Sequence, residues 1–94
     1  MENEIPKREE QLFLYVIGTF QSSALVALGK LKSPISKNYE INIEQASFYI
    51  DLLSMMQNKM NSNLTEYEEQ TLINTISELK LNFIDEKNKT KDKT

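Results

Sequence analysis

Any chemistry in this chain must be assembled from carboxylates, hydroxyls, amides and amines. There is no histidine and no cysteine. That removes the usual general base, the commonest metal ligand, thiol catalysis, cysteine-held zinc and any disulfide. The tightest group of potential ligands is Glu66, Glu68 and Glu69. Such oxygens suit a hard cation, yet acids also gather at a helix N-terminus for dipole and capping reasons alone. The second reading is the simpler one. Asp51 shares a helical face with Ser47, Ser54 and Asn58, the composition of a solvated surface. Asn63-Leu64-Thr65 and Asn88-Lys89-Thr90 have the form of glycosylation acceptors, but no convincing secretory signal accompanies them. Neither the four tyrosines nor the serines come with a Ser–His–Asp or Ser–Lys arrangement. Gly18 and Gly29 are the only glycines, too few for a phosphate-cradling loop. Catalysis, a cofactor and a resident metal are therefore not expected.

The elements that would position these residues fit in one domain. Ninety-four residues with four glycines and prolines together, against about eleven at average usage, leave few turns for a sandwich or barrel. Charged residues make up 27% and hydrophobic residues 39%, which reads as globular and soluble rather than disordered. The net charge of −3 disfavours a broad nucleic-acid footprint. Residues 85–94 hold four lysines against three acids and no apolar side chain, so a frayed polar tail is expected there, after a helical domain over 1–84. That tail carries one alternative reading, an accessory protein that touches nucleic acid through Lys87–Lys93.

Gln11–Gly29 is a nineteen-residue stretch without charge, almost the length of a bilayer span. The polar trio Gln21, Ser22 and Ser23 interrupts it near the middle. The first ten residues net −2, the wrong sign for a signal peptide. A buried soluble helix in a cytoplasmic protein is the expectation, with peripheral membrane attachment through this helix as a further alternative.

Three helices follow from capping and periodicity. The first runs from near Pro6 to Leu28, with Gly29 as a left-handed C-cap. Asn42 caps the second, with Gln45 completing a capping box, and it continues to about Met60. Thr65 and Glu68 form the box that opens the third, which reaches about Glu86. The short link Asn61–Leu64 makes helices two and three an antiparallel hairpin. Their stripes are Ala46, Tyr49, Leu53, Met56 and Met60, and Leu72, Ile76, Leu79 and Phe83. The longer link from Lys30 to Ile41 permits either a crossover or a reach to another subunit, and Ile35–Ile41 has the makings of a small hairpin about Lys37-Asn38.

Helix one carries a main stripe of Phe13, Val16, Ile17, Phe20, Ala24, Ala27 and Leu28. Leu12, Leu14, Tyr15, Leu25 and Val26 point elsewhere, and Phe48, Leu52 and Met55 form a second stripe on helix two. Met55, Met56 and Met60 also form a soft cluster, suited to gap-filling or to an adaptable partner surface. A hairpin covers only one side of a third helix, and soluble monomers rarely leave so much apolar surface contiguous. The expectation is an all-α protein completed by self-association, most simply a homodimer. Its candidate interface is Leu12, Leu14, Tyr15, Leu25, Val26, Phe48, Leu52 and Met55.

The passage Ala24-Leu25-Val26-Ala27-Leu28-Gly29 with Pro34 beyond it, then Asn42-Ile43-Glu44-Gln45-Ala46, Ile50-Asp51-Leu52-Leu53, Lys59, Asn63-Leu64-Thr65, Glu68-Glu69 and Glu78-Leu79, resembles the bacterial family termed domain of unknown function 1844. The likeness covers about Phe13 to Ile84. It departs where that family tends to have a threonine and a glycine before the Asn-Leu-Thr triplet; here Met60 and Ser62 stand. The resemblance implies a small cytoplasmic bacterial protein and brings no catalytic residues. Taken together, the residues point to a non-catalytic interaction or scaffold protein with an unknown protein partner or itself as partner.

Overall fold

The computed structural model describes the backbone of residues 4–92 and the side chains of residues 7–89. It contains three helices, α1 (Glu4–Ala27), α2 (Ile43–Lys59) and α3 (Glu66–Asp92), and no strand among the described residues. The fold is all-α, as the periodicity requires.

The end of α1 and the starts of α2 and α3 are each fixed by a short-range device. At the end of α1, Gly29 adopts φ +76°. Its N–H donates to the Val26 carbonyl at 3.0 Å and the Lys30 N–H to that of Leu25 at 2.8 Å, the paired bonds of a glycine-terminated helix. Asn42 caps α2 by accepting from the Gln45 N–H at 3.1 Å. The reciprocal half of that box is not made: the Asn42 N–H donates instead to the Ala27 carbonyl, 2.7 Å away. Thr65 and Glu68 form a complete box, Glu68 N–H to Thr65 Oγ1 at 3.1 Å and Thr65 N–H to Glu68 Oε1 at 2.8 Å.

These caps also settle the topology. The bond from Asn42 to Ala27 and the isolated antiparallel bridge between Leu28 and Ile41 bring the start of α2 back to the end of α1. Thr65 Oγ1 donates to Glu10 Oε2 at 3.1 Å, so α3 starts beside the beginning of α1. Lys30 pairs with Glu86 at 2.9 Å near the far end of both. The chain therefore runs up, down and up, with α2 antiparallel to both neighbours. The twelve-residue link returns α2 along α1 of the same chain instead of crossing over. Within that link no hairpin forms. Ser33 N–H donates to the Asn38 carbonyl at 2.8 Å, Lys37 N–H donates to that of Ser33 at 2.9 Å, and Lys37 adopts φ +64°.

Apolar side chains from all three helices meet along the axis. Phe13, Ile17, Ala24, Ala27 and Leu28 join Ala46, Ile50 and Leu53, and Leu72, Ile76 and Leu79 complete the core. Two stripes differ from expectation. Val16 lies at the rim, 38% exposed. On α2, Ile50 is buried while Tyr49, Met56 and Met60 pack around the edge of the core, and both α1 and α3 contact this helix. The third helix also continues past Glu86 to Asp92, where a frayed tail from residue 85 had been expected. Lys89 bridges Asp85 at 3.2 Å and Glu86 at 3.4 Å. Charged residues with good helix propensity and such pairs sustain a helix with no apolar side chain.

Backbone sign decides three substitutions. A Cβ on Gly29 would require a left-handed alanine and would meet Ile41 Cγ1 at 2.8 Å. Nothing lies within 4 Å of a Cβ at Gly18, inside α1. Ser62 is left-handed at φ +79°, third in a turn closed by Asn63 N–H on the Met60 carbonyl, a place that favours glycine. That is where the family resemblance implies one. In urea unfolding, Gly29→Ala should lower stability by about 1–2 kcal/mol, and Gly18→Ala should raise it by about 0.5–1 kcal/mol. Ser62→Gly should raise it by about 0.5 kcal/mol, relief of strain exceeding the added chain entropy of glycine.

Candidate interaction face

At 100° per residue, Leu12, Tyr15, Val16, Thr19, Ser23 and Val26 follow one flank of α1. Ser22, Ser23 and Val26 border an open groove of about 410 Å³ together with Gln45 and Tyr49 of α2 and the Ser33–Ile35 turn. This flank of α1 therefore lies beside α2. The Phe20 and Tyr49 rings lie 6.2 Å apart across the seam, and Phe48 meets Tyr49 edge-on at 5.6 Å. Leu52, Phe48 and Met55 continue outward from Tyr49 on the facing flank of α2.

The two flanks form one apolar face. Tyr15 is 76% exposed, Phe48 58%, Leu12 49% and Met55 45%, with Val16 at the rim and Leu52 half-buried. Of the eight residues read from the sequence as a candidate interface, six fall on these flanks: Leu12, Tyr15, Val26, Phe48, Leu52 and Met55. Val26 is half-buried at the groove. Leu14 and Leu25 lie on the opposite flank of α1 and pack against the core. The chain thus covers more of α1 than its composition suggests, and what it leaves bare is concentrated on one side. Val16 was hidden from sequence reasoning because its spacing fits the core stripe.

The remaining candidate groups disperse. Glu68 is buried in its capping role while Glu66 and Glu69 are exposed. Among the described residues no group of three or more acids is placed to hold a metal ion. Asp51 and Asn58 are exposed. Of the methionines, Met55 faces out while Met56 and Met60 pack against the core. The groove is lined by serine hydroxyls, Gln45 and Tyr49, which supply hydrogen bonds but no base to activate a nucleophile. Among the described residues, no helix is long and apolar enough to cross a membrane.

The strongest electrostatic contact lies at the other end of the chain's reach. Lys30 and Glu86, fifty-six positions apart, pair at 2.9 Å with the carboxylate buried. The Lys30 hydrogen bond holds the Glu86 carboxyl below its usual range, burial opposes it, and the Lys30 charge and Lys89 add to the lowering. The Lys89 ammonium is raised, first by its hydrogen bond to Asp85 and then by Glu86. No local pattern announces a contact between residues so far apart.

The model of the family described as Domain of unknown function (DUF1844) matches residues 10–85. The chain belongs to that family. Comparison with curated proteins gives no match, and comparison with solved structures gives none. The DUF1844 match contains every buried apolar residue of the core and the whole apolar face. It ends one residue short of Glu86.

A depressed carboxylate stabilises the fold above its unfolded pKa and loses that contribution as pH falls through the folded one. Acid unfolding of the DUF1844 chain should therefore include a component below the ordinary value of 4.5 that belongs to Glu86. Chemical denaturation at a series of pH values should show Glu86→Gln losing less stability than the parent over that interval. Equal losses would place the acid sensitivity elsewhere.

Proposed function

We propose that this chain is a non-catalytic interaction protein of the bacterial cytoplasm that works as a homo-oligomer, the α1/α2 face of one copy against the same face of another. One observation carries the reading. The large apolar side chains that α1 and α2 leave exposed, Leu12, Tyr15, Val16, Phe48 and Met55, fall on one helical flank of each. Burying each such side chain contributes about 1.5–3 kcal/mol, and contiguous apolar patches of this kind mark protein contacts. The α1 half of the face falls inside the uncharged stretch Gln11–Gly29, so its burial desolvates no ionised group of that helix. Aromatic anchors, here Tyr15 and Phe48, supply much of the energy of such contacts. A second copy offers a surface of matching chemistry without any further component, and twofold pairing is the commonest closed arrangement. The absence of histidine and cysteine supports the non-catalytic part.

Sedimentation equilibrium of the full chain at micromolar concentration should give twice the monomer mass. Tyr15→Glu combined with Phe48→Glu should weaken association by about a hundredfold while helix content and cooperative unfolding persist. A parent chain that stays monomeric at tens of micromolar would defeat the reading.

A further inference from the structure

We propose that the loop between α1 and α2 is a docking element for anionic phospholipid bilayers, with Ile35 as its inserted tip. Ile35 is 93% exposed, more than any other large apolar side chain described, and Leu31 and Tyr39 on the same loop are 42% and 63% exposed. The loop is built to hold them out. Ser33 Oγ accepts from the Ile35 and Ser36 N–H groups at 3.3 Å, and the bonds between Ser33, Lys37 and Asn38 close the turn beneath the tip. The bridge between Leu28 and Ile41 anchors both ends to the bundle.

Charge selects the partner. Residues 30–41 contain three lysines and one glutamate; Lys30 is paired with Glu86, which leaves Lys32 and Lys37 against Glu40, while the other 82 residues net −5. Among the described residues, neither Lys32 nor Lys37 joins an ion pair. Lys32 instead lies over the Tyr39 ring, 5.7 Å from its centroid. An apolar tip with lysines beside it matches the layering of a bilayer interface, acyl chains below and phosphate and carboxylate headgroups at the rim. Nucleic acid would satisfy the lysines but not Ile35 and Leu31, and the negative remainder of the chain opposes a long polyanion. This contact uses the loop rather than the exposed side chains of α1 and α2; because Ile35 also borders the groove with Val26 and Tyr49, the Tyr15 and Phe48 substitutions below are what separate it from the self-association proposed above.

Flotation of the full chain with vesicles tests it. Phosphatidylcholine vesicles containing about 40% phosphatidylserine should carry the protein at about 0.1 M salt, and binding should fall at least about tenfold at 0.5 M. Phosphatidylcholine alone should bind at least tenfold more weakly. Ile35→Asn, and Lys32→Gln with Lys37→Gln, should each weaken binding to the anionic vesicles about tenfold without changing helix content. The chain has no tryptophan, so Ile35→Trp supplies a reporter whose emission should shift to the blue on anionic vesicles. The pair Tyr15→Glu and Phe48→Glu should still bind, which separates this contact from the oligomer face. No flotation, equal binding to neutral vesicles, binding unchanged by Ile35→Asn, or preferential binding to an RNA oligonucleotide at the same salt would each overturn the proposal.

Discussion

The Asn42 amide on the Ala27 carbonyl is the bond from which most of this architecture follows. It forces the link that leaves α1 to return to its point of departure, so α2 must run back along α1. That direction sets Phe20 against Tyr49 and lays the spare apolar residues of the two helices side by side. It also brings the intervening residues beside the groove between the two helices, which Ser33, Pro34 and Ile35 border. Gly29 makes the return possible, since a side chain there would collide with Ile41 while the backbone turns left-handed.

Long-range polar contacts add a second layer of order. Glu10 reaches Thr65 at one end and Lys30 reaches Glu86 at the other, each joining α3 to α1 or the residues just after it. Such contacts are individually modest beside the burial of Leu53, Leu72 and Leu79. Their value lies in register, because each couples a helix cap or terminus to a specific residue on another element. With both ends tied, α3 cannot slide along α1 without breaking one of them.

The helices, their caps and most of the core were legible in the sequence because they depend on spacing within about five residues. Asn42, Thr65, Glu68 and Gly29 act locally, and local rules identify them. What was not legible depends on neighbours distant in the chain. Gln45 looked like half of a box, but Ala27 competes for the same donor. Leu14 and Leu25 have the spacing of surplus residues, yet they pack against the core. The helical C-terminal part of α3 has no apolar side chain to announce it; its charge pairs join Lys89 to Asp85 and Glu86. For the candidate site, composition revealed that apolar surface was in excess. Only the structure shows which of it stays exposed: one flank of α1, one of α2, the loop between them, and Tyr67, Leu81 and Ile84 on α3.

A connection whose two ends are stapled together has little mechanical communication with the rods it joins. Closing that loop depends only weakly on how many residues it contains, so its middle can change in length and character while the bundle keeps its stability. The segment from Leu31 to Glu40 therefore behaves as an exchangeable module on a fixed scaffold, open to new side chains that the packed interior would reject.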